Sequence, residues 1–201
     1  MKKLLVIVLA LFIVVPFANA EAFQEGVNYK VVRQEATAKP QIMEFFSYFC
    51  PHCFAFEPIF DGLESDLPNV QFKRVHVAFL GGAMGEEMVR AYAVAEVLQV
   101  TKKMTPVLFD AIHIQHISLA SRADIRKLFV EHGVSGADFD NAVNSFVVNG
   151  LVAEMNKTVK EYHVMGVPTI IVNGKYQVLP GSVQTVNQYV KLIKYLVHKK
   201  N

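Results

Sequence analysis

The sequence predicts an α/β fold in which a β-α-β unit and a β-β-α unit build one sheet around a helical insertion. Three observations predict it. After the first twenty residues, strand-like segments fall at the two ends of the chain. Between them, from about Glu86 to Val164, apolar residues recur at helical spacing with few strand signals. Both flanks are needed to complete one sheet, so the helical stretch reads as an insertion.

The elements follow in order. Residues 21–40 are a lead-in with one short strand near Tyr29 to Val32, closed by Lys39-Pro40. Gln41 to Ser47 reads as a buried strand, because Ile42, Met43, Phe45 and Phe46 leave almost no polar face. A helix starts at about Cys50, with Pro51 suited to its first turn, and ends before Pro68. Val70 to Phe79 is a second strand, and Gly81-Gly82 closes it. In the insertion, Ser121-Arg122-Ala123-Asp124 resembles a capping box and Gly133 marks a helix end. Thr169 to Val172 is β-branched throughout, Asn173-Gly174 is a hairpin turn, and Lys175 to Leu179 returns. Gly181 leads into a last helix with Val183, Val186, Val190, Ile193 and Val197 along one side.

Of the 201 residues, 52% are hydrophobic and 19% charged, which suits a packed core and excludes wholesale disorder. Residues 1–20 read as a secretory signal. Lys2-Lys3 precede the apolar run Leu4 to Val15, Pro16 breaks it, and Ala18-Asn19-Ala20 offers a cleavage site after Ala20. The run is short for a membrane span, which takes roughly 20 residues. Without Lys2 and Lys3 the 20 basic side chains fall to 18, level with the 18 acidic ones. A near-neutral chain lacks the dense basic field that nucleic acid requires.

There are two cysteines, Cys50 and Cys53, one helical turn apart. An exported protein meets conditions in which disulfides persist, yet so short a loop restrains the unfolded chain little. The pair therefore points to chemistry. At i and i+3 both sulfurs face one side of a helix start. There the unpaired N–H groups and the helix dipole favour a thiolate on Cys50, and His52 adds to that effect. Stabilising the reduced form makes the disulfide an oxidant. The competing reading is half a zinc site, with His52, His76 or the pair His113 and His116 as further ligands. The gap between His113 and His116 is too short for the usual spacing, so they read as an exposed helical face. His76 reads as a hydrogen-bonded core histidine. Pro168 stands at the start of a strand, where a proline, including a cis one, is tolerated.

The runs Glu44-Phe45-Phe46-Ser47-Tyr48-Phe49-Cys50-Pro51-His52-Cys53 and Gly166-Val167-Pro168-Thr169 resemble the DsbA family of periplasmic thiol:disulfide oxidoreductases. The likeness covers nearly all of the chain after residue 20, including the helical insertion, Ser145-Phe146-Val147-Val148 and Val172-Asn173-Gly174-Lys175-Tyr176. A low thiol pKa and an oxidising couple are general properties of that family. The resemblance implies a thioredoxin-like fold, divided as 21–83 and 165–201 with 84–164 as an inserted helical domain. It implies that Cys50 forms the mixed disulfide, that Cys53 is its buried partner, and that His52, with Pro51 beside it, stabilises the Cys50 thiolate. Val167 and a cis Pro168 would line the peptide site, with Phe49 and Phe54 supplying apolar surface. Partners would be newly exported cysteine-containing proteins and a DsbB-like quinone-coupled membrane protein for reoxidation. The protein would act as a monomer with no cofactor beyond its own disulfide and no metal.

One departure stands out. The family's buried acid and lysine correspond here to Glu44 and Arg74, with Lys73 adjacent. Arginine stays charged where a buried lysine can lose its proton. The two residues read equally as a proton-handling pair and as a structural ion pair. The rival activities are isomerase or reductase, for which no dimerisation module is visible, and a peptide-holding or metal-carrying module on the same fold.

Overall fold

The computed structural model describes residues 23–199. The signal sequence and its cleavage after Ala20 lie outside the described residues. The central sheet has five strands in the order β1-β5-β4-β2-β3. These are β1 Tyr29–Val31, β2 Gln41–Phe46, β3 Gln71–His76, β4 Thr169–Val172 and β5 Tyr176–Val178. Only β2 and β3 run parallel, joined by helix α1, Pro51–Asp66. β4 pairs antiparallel with β2, and β5 then leads out to β1. The two flanks of the sequence thus meet along one strand pair, with Ile42 opposite Val172 and Phe45 opposite Thr169. β2 can occupy the centre because Ile42, Phe45 and Phe46 are fully buried. The thioredoxin-like architecture is the one anticipated.

Five helices lie between β3 and β4: α2 Met84–Val97, α3 Thr101–His113, α4 Arg122–Glu131, α5 Gly136–Val143 and α6 Phe146–Glu161. Each of the last three starts on a serine whose hydroxyl accepts a backbone N–H, Ser121 from Asp124, Ser135 from Asp138 and Ser145 from Val148. Helix α7, Val186–His198, closes the chain. It begins later than the apolar pattern from Val183 suggests, because Thr185 is its cap and accepts from Gln188 N–H.

Two apolar cores flank the sheet. One joins Phe45, Phe46, Tyr48 and Val75 to the inserted helices through Met88, Phe109 and Phe129. The other joins Ile42, Phe60, Ile170 and Val172 to α7 through Leu192, Ile193 and Leu196. Helix α1 contributes to both, with Cys53 in the first and Phe56, Phe60 and Leu63 in the second.

Candidate active site

Cys50 is the N-cap of α1, with extended backbone at φ −96° and ψ 111°, and Pro51 occupies the first turn. Its sulfur takes the place a serine or aspartate oxygen usually fills, accepting the Cys53 N–H at 3.2 Å. No acidic residue stands in the first turn of α1, so nothing there competes for the positive end of the helix. Both cysteines are reduced in this structure.

The Cys50 thiol is drawn down from the ordinary 9.0 to about 6. The largest cause is the hydrogen bond from the Cys53 side chain. Burial opposes it, and the backbone N–H groups of Cys53 and His52 and the charge of His52 add to it. Cys53 is pushed strongly up, first by giving that hydrogen bond to Cys50 and then by burial.

Across the sheet, the Val167–Pro168 peptide is cis, and Cys50 Sγ lies 3.4 Å from the Val167 carbonyl oxygen. Thr169 Oγ1 donates to the Gly166 carbonyl at 2.8 Å, which braces this turn just ahead of β4. The structure therefore gathers Cys50, Pro51, His52, Cys53, Val167 and Pro168. Phe49 lies on another side of the loop, with its ring over Gly81. A Cβ at Gly81 would fall 2.2 Å from that ring, and its φ of +84° also favours glycine. An open groove of about 850 Å³ runs from His52, Val167 and Pro168 to Gln177, Tyr189 and the start of α7; Phe49 does not line it.

Beneath the cysteines Glu44 is fully buried. Arg74 Nε lies 2.8 Å from Glu44 Oε2, but the N–H is not aligned on the oxygen, so the contact is ionic rather than a hydrogen bond. Arg74 instead gives both terminal nitrogens to Glu57, one at 3.2 Å to Oε2 and the other in a closer contact to Oε1. Its guanidinium also lies 4.2 Å from the Phe46 ring centroid. Burial pushes the Glu44 carboxyl up to about 8, against the pull of Arg74. Glu57 was missed in the sequence, though it stands one turn beyond Cys53 on α1.

The loop between β2 and Cys50 is held by two histidines. The Tyr48 N–H donates to His76 Nε2 at 3.0 Å, and His113 Nε2 lies 2.8 Å from the Tyr48 carbonyl. His76 is a fully buried core histidine, as its strand position suggested, and burial depresses it to about 3. His113 corrects the expectation of an exposed face. Its ring stacks on Phe54 at 5.3 Å and 10°, because α3 ends against α1. His116 lies beyond that helix, exposed, at φ +53°. Among the described residues no group of three or more His, Cys, Asp or Glu could hold a metal ion. Nor is any described helix long and apolar enough to cross a membrane.

Known proteins share this fold. A family model described as the DSBA-like thioredoxin domain matches residues 41–191. The thiol:disulfide interchange protein DsbA of Salmonella typhimurium is 42% identical over 193 residues, covering 91% of this chain and 92% of its own. That of Escherichia coli K12 is 38% identical with the same coverage. Among solved structures, the disulfide oxidoreductase DsbA of Proteus mirabilis superposes with a TM-score of 0.81 at 35% identity, covering 89% of this chain and 98% of that one. A Cys→Ser variant of the Proteus protein with a non-covalently bound peptide gives 0.78 at 34% identity, covering 89% of this chain and 100% of that one.

Proposed function

This chain belongs to the DsbA-like thioredoxin domain family, and from that premise we propose that it donates its Cys50–Cys53 disulfide to newly exported proteins. It is a protein dithiol:disulfide oxidoreductase, like the relatives that share most of its length. The observation that carries the residue assignment is the capped sulfur of Cys50, drawn down to about 6 while its neighbour Cys53 is pushed up.

In the oxidised protein a substrate thiolate attacks Cys50 Sγ. The Cys50–Cys53 bond breaks, its electron pair leaves on Cys53, and a disulfide joins Cys50 to the substrate. A second substrate thiolate attacks the substrate sulfur of that bond. Cys50 leaves as a thiolate, the substrate keeps a disulfide, and the protein has gained two electrons. The low pKa of Cys50 makes it the better leaving group in that second step. Cys53 takes up a proton when it leaves. Glu44, which titrates near 8, is a nearby group able to exchange one near neutrality.

Val167 precedes β4 outside the sheet ladder, so its backbone can pair with an extended substrate. Pro168 and the groove beside it take the substrate's side chains, while Phe49, over Gly81 on another side of the loop, stands apart from that groove. His52 and Pro51 hold the electrostatics and geometry of the first turn. The proposal includes export to the periplasm on residues 1–20, action as a monomer, residues 84–164 as an inserted domain, and reoxidation by a DsbB-like quinone-coupled membrane protein.

The test is a Cys53→Ser variant incubated with an unfolded substrate whose cysteine carries an exchangeable disulfide to a small thiol, so that Cys50 forms the mixed disulfide as the small thiol leaves. Mixed disulfides should accumulate through Cys50. Accumulation of none, or trapping through residue 53 in a Cys50→Ser, wild-type Cys53 protein, would reverse the assignment.

A further inference from the structure

Two large openings among the described residues differ in charge. The cleft under α1 is lined by five carboxylates, those of Glu57, Asp61, Glu64, Glu96 and Glu154, as well as by three cations. The groove that starts at His52, Val167 and Pro168 is lined by no aspartate or glutamate. Its walls are apolar, with Phe56, Ile59, Met165, Val178 and Tyr189 among them. Its ionisable cationic or basic side chains are Lys30, His52 and His163.

Lys30 is the fixed charge of this set. It sits on β1 opposite Gln177 of β5, with its exposed side chain on the groove wall. It forms no ion pair among the described residues. His163, also exposed, stands two residues before Met165, which is 92% exposed at the groove edge. A methionine so placed can adapt to many apolar side chains. A cleft with one sign of charge and low-dielectric walls concentrates ligands of the opposite sign.

Resting on the reading of Cys50 and the groove given above, we propose that this groove favours cysteine-containing segments that are apolar and carry carboxylates, and disfavours those carrying lysine or arginine. A carboxylate beside the apolar anchor gains the unpaired Lys30 as its partner. A basic side chain in the same place finds no carboxylate on the groove and meets Lys30 as a like charge.

The experiment uses oxidised protein and three dicysteine peptides that share their cysteines and apolar residues. One is uncharged, one carries two aspartates, and one carries two lysines. The charges stand about four residues from the nearest cysteine, roughly 13 Å in an extended chain, to limit their effect on the thiol itself. Rates of disulfide transfer are compared with those of the uncharged peptide. At low ionic strength the acidic peptide should react roughly two- to fivefold faster than the basic one, a surface-charge effect that added salt erases. In Lys30→Glu the order should reverse, and that reversal separates the groove from any intrinsic reactivity of the peptides. Equal rates at low salt, or a preference unchanged in Lys30→Glu, would overturn the proposal. Failure to oxidise any of the three peptides would instead sink the donor reading on which it rests, and the selectivity with it.

Discussion

Cys50 and Cys53 share one helical turn, yet the residues around them have little in common. Cys50 meets backbone: N–H groups of α1, the cap geometry and the carbonyl of Val167. Cys53 meets packed side chains, with buried Glu44 and its half-buried neighbours Arg74 and Glu57 beneath it. The first environment lowers a thiol, and the second raises one. The asymmetry of the pair therefore starts from the hydrogen bond that Cys53 gives to Cys50, and the helix end on one side and burial on the other widen it.

The largest effect is expected underneath. Arg74→Met leaves Glu57 without its hydrogen-bond donor and removes the one cation that Glu44 pairs with among the described residues, so unfolding free energy should fall by about 2–3 kcal/mol. Denaturant unfolding of the reduced protein measures it. A loss below about 1 kcal/mol would mean that Arg74 is not holding this layer together.

Glu44→Gln should act through pH rather than through overall stability. The Glu44 carboxyl titrates near 8 when folded, against an ordinary 4.5. A raised value means the native state keeps a proton that the unfolded state has lost. Its contribution is therefore fully present below about 4.5 and is lost as pH rises through about 8. In Glu44→Gln that part of the decline between the two values should disappear, leaving a flatter stability profile. A profile identical to that of the wild type would place the Glu44 carboxyl at an ordinary value.

The smallest effect is expected at the loop itself. His113→Ala removes the contact to the Tyr48 carbonyl and the stack on Phe54, at a cost of about 1–2 kcal/mol. His113→Gln, which keeps a donor, should recover part of it. Both variants should also shift the Cys50 titration upward, since this loop sets the cap that Cys50 forms. A titration that stays near 6 in His113→Ala would make the histidine a packing residue only.

Much of this organisation was legible in the sequence where local chemistry decides it. The β-branched run at Thr169 to Val172, the Asn173-Gly174 turn and the Ser121 cap each act within a few residues of themselves. The cysteine pair at a helix start was legible for the same reason. The interior of the site was less so. His113 looked like part of a polar helical face, and only the approach of α3 to α1 gives it Phe54 to stack on. Glu57 was readable one turn from Cys53, but its bond to Arg74 needs the packing of α1 on β3. The groove depends on Lys30, Gln177 and Tyr189, which the sheet and α7 bring together from distant parts of the chain.

The equilibrium of the Cys50–Cys53 pair with graded glutathione buffers tests the central claim most directly. At pH 7 a Cys50 thiolate with a pKa near 6 favours the reduced form by about tenfold, or roughly 30 mV, over one with an ordinary thiol. Because the folded value is depressed, this margin is fully present above about 9 and fades as pH falls through about 6. A couple clearly more oxidising than glutathione, with the reduced form more heat-stable and the margin shrinking at acid pH, is the result predicted. A strongly reducing couple, or a margin that does not change with pH, would contradict the account and point to a reductase.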